Sequence, residues 1–230
     1  MNGLTVIKIP NDKKLVFVSD LHLNHDKEFL WGKRGFESSN QHVEAIFSQL
    51  GKIANDETVL VDLGDATFRD NDRKYFDRLA ALPFHAHYHI WGNHPSGAKQ
   101  AYKEALDNRF GSRIALDNPS DAFRLEIYPV DYKNITFVGH QAFFKYRGEN
   151  IFASHFPHSI WDEMKNGFWS LSGHCHGGFS DTSGSRTNIG KQLDVGVETA
   201  LRFNGVVYWD FDDVKTQMDN RDVVSVDSHH

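Results

Sequence analysis

The chain reads as an α/β protein in which two β-sheets pack face to face with helices outside, a two-sheet β-sandwich flanked by helices. Two observations predict it. Residues 15 to 91 run strand, helix, strand, helix, strand, an alternation that gives right-handed crossovers and a parallel sheet. Residues 135 to 211 then carry a series of short strand patterns with Gly, Ser or Asn between them, enough for a second sheet. No repeat, low-complexity stretch or linker breaks the 230 residues, so one domain over 1–230 is expected.

The elements follow in order. "LVFVS" (15–19) is a short apolar run with β-branched and aromatic residues and reads as a buried strand. "NQHVEAIFSQLGKIAN" (40–55) places Val43, Ile46, Phe47, Leu50 and Ile53 at helical spacing, which gives one apolar helix face. "TVLVDL" (58–63) is the next strand, Tyr75, Phe76, Leu79 and Leu82 mark a second helix, and "FHAHYHIW" (84–91) is a third strand. In the second part "ITFVGH" (135–140), "IFASH" (151–155), "FWSLSGHCH" (168–176), "KQLDVGV" (191–197) and "GVVYWDF" (205–211) read as strands.

A formal net charge of -6 argues against a nucleic-acid polymer as partner, because neutralising phosphates takes clustered Lys and Arg. The single cysteine, Cys175, excludes an intrachain disulfide and suits a reducing compartment. The N-terminus lacks an apolar leader and no stretch is long enough to span a membrane, so a soluble, cytoplasmic protein is expected. His229 and His230 read as the start of a purification tag and are set aside.

Polar residues gather at strand ends. Asp20 and His22 close the first strand, Asp65 the second, and Asn93 and His94 the third; His155 ends "IFAS", and His174 and His176 end "FWSLSG". In open α/β sheets ligands bind beyond the carboxyl ends of strands, so these positions can converge on one place. Each alone has an ordinary role: a cap for Asp20, a turn for Asp65, a hydrogen-bonded core residue for His155. His85, His87 and His89 alternate along one strand and read as structural. Eight residues drawn only from Asp, Asn and His, each just beyond an apolar run, are harder to obtain independently.

The ordered series Asp20-x-His22, Gly64-Asp65, Gly92-Asn93-His94, His155 and Gly173-His174-x-His176 resembles the motif set of the calcineurin-like metallophosphoesterases, in a compact, single-domain branch. "FVSDLHLNH" is similar to the opening of that branch, and "LDVGVETALRFNGVVYWDFDDV" to its closing strand pair. The resemblance implies two divalent transition-metal ions: Asp20, His22, Asp65 and His176 on one, Asp65, Asn93, His155 and His174 on the other, with Asp65 bridging. Nitrogen and oxygen donors without thiolate suit manganese, expected first, or iron, zinc, cobalt or nickel. Such a pair, roughly 3.5 to 4 Å apart, acidifies a shared water and clamps the oxygens of an in-line phosphoryl displacement. His94 would be the catalytic residue, stabilising charge or protonating the leaving oxygen. Two departures stand out: Pro95 where the family carries an acid, and Arg69 one place later than the usual arginine.

The expected substrate is a small phosphomonoester, a nucleotide first, as for a nucleotidase-like phosphatase. The alternatives are a phosphodiesterase acting on a cyclic nucleotide or other small diester, and a non-catalytic protein-binding scaffold. In "FLWGKRGFESS", Arg34 is expected on phosphate with Trp31 and Phe36 on a base. His25 is expected at the edge of the site.

Overall fold

The computed structural model describes residues 4–69, 72–111, 128–178 and 190–225. In chain order the first half comprises β1 (Thr5–Lys8), β2 (Lys14–Val18), α1 (Glu28–Trp31), α2 (Ser39–Ile53), β3 (Thr58–Asp62), α3 (Arg73–Ala80), β4 (Ala86–Ile90) and α4 (Ser96–Phe110). The second half comprises β5 (Val130–Tyr132), β6 (Ile135–Gly139), β7 (Gln141–Tyr146), β8 (Glu149–Ser154), β9 (Trp169–Ser172), β10 (Gln192–Asp194), α5 (Val197–Asn204), β11 (Trp209–Asp210) and α6 (Phe211–Asp219).

These strands form two mixed sheets. One has the order β11-β2-β3-β4-β6-β5 and the other β1-β7-β8-β9-β10. In the first, β2, β3, β4 and β6 run parallel, and only the edge strands β11 and β5 are antiparallel. In the second, β8, β9 and β10 run parallel. The carboxyl ends of β2, β3 and β4 thus open on one edge of the sandwich, together with those of β8, β9 and β10.

Side-chain alternation along the strands divides the core. Leu15, Phe17, Val59, Val61 and Leu63 face the second sheet and meet Phe144, Ile151, Ala153, Trp169 and Leu171. Val16, Val18 and Leu60 point the other way, onto Val43, Ile46, Phe47 and Leu50 of α2 and Phe76 and Leu79 of α3. Each fully buried side chain of this size stabilises by about 1.5–3 kcal/mol. Ser38 caps α2, its hydroxyl accepting from the Gln41 N–H at 3.1 Å, which satisfies one of the free amides of the first turn.

The closing segment departs from the sequence reading. "LDVGVETALRFNGVVYWDFDDV" does not form a strand pair: β10 and β11 lie in different sheets, with α5 between them. Val197 and Ala200, three apart, bury on the helix side facing the sandwich. α4 was hidden for a related reason, since its buried face is Ala98, Ala101, Tyr102, Ala105 and Leu106, in which alanine contributes little hydrophobic contrast. Among the described residues no helix is long and apolar enough to cross a membrane.

Candidate metal centre

The strand ends turn sharply. Asp20, His22, Asp65, His174 and His176 all have left-handed φ, between 44° and 68°. Such backbone costs a non-glycine residue of order 1 kcal/mol or more and gathers at functional sites. Its effect here is to aim five side chains, from three strand ends, at one point.

A first group of donors is Asp20, His22 and His176. The Nε2 atoms of His22 and His176 face each other at 3.3 Å, with the rings stacked. His176 Nδ1 lies 2.8 Å from Glu198 Oε1, an acceptor, so Nδ1 carries the hydrogen and Nε2 of the neutral ring is a lone pair. Asp20 Oδ1 lies 3.7 Å from His22 Nε2 and 3.8 Å from His176 Nε2. That oxygen is fully buried and accepts no hydrogen bond, while Oδ2 accepts from the His174 N–H at 2.9 Å. A buried carboxylate oxygen facing two imidazole nitrogens is costly unless a cation completes it.

A second group is Asp20, Asp65 and His155. His155 Nδ1 donates to the Leu63 carbonyl at 2.9 Å, which leaves Nε2 pointing at Asp65 Oδ2 (3.3 Å) and Asn93 Oδ1 (2.9 Å). His174 Nδ1 reaches the same Asn93 oxygen at 2.9 Å. The lone pairs of His155 Nε2, Asp65 Oδ2 and Asn93 Oδ1 therefore converge unless His155 takes a second proton. The electrostatics show that tension: burial disfavours charge on His155, yet the Asp65 carboxylate outweighs it and the pKa is raised. For His176, burial is likewise outweighed by Glu198. Asp20 itself is pushed up by burial. These donor sets fit divalent cations held by imidazole, carboxylate and amide oxygen.

The expected bridge needs a wider description. Asp20 belongs to both groups, while Asp65 Oδ2 faces His155 of the second and, at 3.9 Å, His22 Nε2 of the first. Both carboxylates are placed to span the groups. Cys175 joins neither.

No family model matches the chain, and no curated protein sequence matches it. Among solved structures it is similar to a protein of unknown function from Aquifex aeolicus, with a TM-score of 0.56 at 19% identity, covering 89% of this chain and 99% of that one. That likeness shows the fold. It is also similar to the nuclease MPE of Pseudomonas putida, with a TM-score of 0.36 at 17% identity over 73% of this chain and 68% of that one, a score too low to bear on fold or activity.

Arg34 is a correction to the sequence reading. It is 7% exposed, and each of its five N–H donors has a protein partner. Nε and Nη2 donate to Glu198 Oε1 at 2.9 and 2.7 Å, Nη2 to the Asp20 carbonyl at 2.7 Å, and Nη1 to the Leu21 carbonyl at 3.2 Å and His42 Nε2 at 2.9 Å. Nothing is left for a phosphate. The guanidinium braces the loop that carries Asp20 and His22 from behind, and it holds the carboxylate that orients His176. Glu198 was missed in sequence because it lies in a segment read as a strand. Burial raises its pKa, but His176 and Arg34 outweigh this and bring it down to about 2. Phe36 packs on His42 at 5.2 Å, behind Arg34 rather than beside the donors. Trp31 is half-buried, its indole N–H enclosed without an acceptor.

His94 and His25 lie on the donor side. The His94 backbone N–H donates to Asp65 Oδ1 at 2.8 Å, and its ring packs 5.5 Å from His22 and 4.8 Å from Phe68. Ring packing thus positions His94, whose neighbour Pro95 carries no carboxylate. His25 is buried edge-on to His22 at 5.9 Å, its Nδ1 accepting from the Lys27 N–H. Phe156, 48% exposed, packs 4.6 Å from His174. Of the histidines read as structural, His87 and His89 are buried beside Asp62, which accepts from His89 Nδ1 at 2.9 Å, while His85 is at the surface beside Asp56.

Proposed function

We propose that this protein is a dinuclear-metal phosphoesterase hydrolysing a small phosphomonoester, in keeping with the resemblance of its ordered motifs to the calcineurin-like metallophosphoesterases. The observation that carries this reading is Asp20 Oδ1, a buried carboxylate oxygen without a donor, in a carboxylate shared by two donor groups. Asp20, His22 and His176 would hold one ion, Asn93, His155 and His174 the other, with Asp65 between them. Divalent ions there supply Lewis acidity toward the phosphoryl group and an acidified water.

The chain's own residues do the rest. Asn93 contributes a neutral oxygen, so the donor set carries less negative charge against an anionic ester. His176 is kept in one tautomer by Glu198, and His155 by the Leu63 carbonyl, so both present Nε2 without rearrangement. His94, beside His22 and half-exposed, donates its proton to the departing oxygen. A phosphodiester is the second reading, favoured by exposed Phe156 beside His174, a contact for a second organic substituent.

The test is hydrolysis of nitrophenyl phosphate and of its bis-ester by chelated protein, before and after manganese is restored. Metal-dependent turnover of the monoester supports the reading, and preference for the bis-ester selects the diesterase. No turnover of either with metal bound would leave a binding scaffold.

A further inference from the structure

Phe29 is 63% exposed, and it is not an isolated surface ring. It packs edge-on to His25 at 5.3 Å, His25 lies 3.9 Å from Phe68, and Phe68 lies 4.8 Å from His94. The run of rings starts in solvent and ends at the group assigned to the leaving oxygen. His25 is the fixed link, buried and tied at Nδ1 to the Lys27 N–H at 3.1 Å. A benzyl group left in water forgoes the stabilisation that burial would bring. Single exposed apolar side chains are ordinary, but this one extends an aromatic surface reaching the reacting end of the site. At its rim Arg69, the residue after Phe68, is paired with Asp26, the residue after His25.

The geometry points to the Phe29–Phe68 surface as a platform for a planar ring on the substrate's leaving group, which makes a nucleoside phosphate the substrate class. The inference rests on the phosphoesterase reading for the direction of the leaving group. An aromatic face receives a heterocyclic base by offset or edge-on stacking and needs no hydrogen bond to any one base. The platform therefore discriminates a nucleotide from a sugar phosphate, and does so weakly among bases. It replaces Trp31 and Phe36 as the wall that contacts the base.

The experiment separates the platform from the chemistry. Adenosine and ribose, which carry no phosphate and cannot be hydrolysed, are titrated into metal-loaded wild type, Phe29→Ala and Phe29→Trp by NMR. Wild type binds adenosine more tightly than ribose. Phe29→Ala weakens adenosine by about 5- to 10-fold, within the range of losing one stacking contact, while Phe29→Trp keeps or strengthens it. Because Phe29 is exposed, neither change threatens the fold. In parallel, kcat/KM for adenosine monophosphate over the ribose phosphate lacking the base falls by a similar factor in Phe29→Ala. Adenosine binding that is undetectable in wild type, or unaltered in Phe29→Ala, overturns the platform. Absence of turnover with metal bound, alongside a Phe29-dependent adenosine affinity, instead overturns the phosphoesterase reading and leaves a nucleoside-binding surface.

Discussion

Arg34 donates twice to a single oxygen of Glu198, from Nε at 2.9 Å and Nη2 at 2.7 Å, and the same oxygen takes His176 Nδ1 at 2.8 Å. One carboxylate oxygen thus joins a buried cation to a candidate metal ligand. Glu198→Gln preserves the shape but removes the charge that fixes the His176 tautomer. Loss of such an outer partner lowers metal affinity by about 10- to 100-fold, read by competition with a chelator. Arg34→Ala leaves the half-buried Glu198 carboxylate without its cation and the Asp20 and Leu21 carbonyls without their donor, and should cost about 3 kcal/mol of stability. Urea unfolding measures that cost. Substrate KM in a milder variant, Arg34→Lys, should move less than stability does; the reverse pattern would return Arg34 to a substrate-binding role.

The sequence made the donor residues visible because parallel strands end on one edge and Asp, Asn and His stood just past apolar runs there. It could not make the brace visible. Arg34 and Glu198 are 164 positions apart, and an arginine in a loop reads the same whether it faces solvent or stands behind a metal ligand. The five hydrogen bonds of Arg34 are complete only once α5 is placed, and α5 was itself obscured by β-branched Val197 and Thr199 in its first turn. Helices with alanine-rich faces, such as α4, and the short edge strand β1 likewise take their identity from what packs on them.

His42 gives the protein an acid-sensitive point away from the donors. Burial, and then the Arg34 charge, lower its pKa from 6.5 to about 3. Between those values the unfolded chain binds a proton that the folded protein does not, so stability falls as pH drops from 6.5 toward 3 and the contribution is fully present above 6.5. The slope is about 1.4 kcal/mol per pH unit at most. Gln at position 42 keeps an oxygen for Arg34 and does not titrate. Urea midpoints of His42→Gln should therefore decline less steeply with acid than those of the wild type, and parallel profiles would refute the assignment.

His94 meets the site through two different parts. Its backbone N–H holds Asp65 Oδ1 at 2.8 Å, and its ring packs on His22 and Phe68. His94→Ala keeps the first and deletes the second. Metal content should stay at the wild-type level while kcat drops by roughly 10²- to 10⁴-fold, the range for a lost proton donor. Elemental analysis of the same preparation decides the matter, since metal loss would make His94 a ligand rather than an acid.

Gly92 looks in sequence like a turn residue, yet its φ lies outside the left-handed region in which glycine is favoured. What the position demands is space. A Cβ at Gly92 would collide with Asp65 Oδ1 and sit 2.6 Å from the Asp65 nitrogen, while a Cβ at Gly64 would sit 2.6 Å from the Gly92 nitrogen. The loops after β3 and β4 therefore approach backbone to backbone, which lets Asp65 stand between His155 and the His94 amide. Gly92→Ala must move that carboxylate, although it removes no donor. Overpacking of this kind typically costs about 1–3 kcal/mol, which the fold should tolerate, but metal affinity should fall at least about 10-fold because Asp65 no longer faces His155 at 3.3 Å. Gly51→Ala is the matched control: the site lies in α2 with nothing within 4 Å of the added carbon, and alanine there should stabilise by roughly 0.5–1 kcal/mol and leave metal uptake unchanged. Metal affinity equal to wild type in Gly92→Ala would show that Asp65 is not held in place by the bare backbone of Gly92.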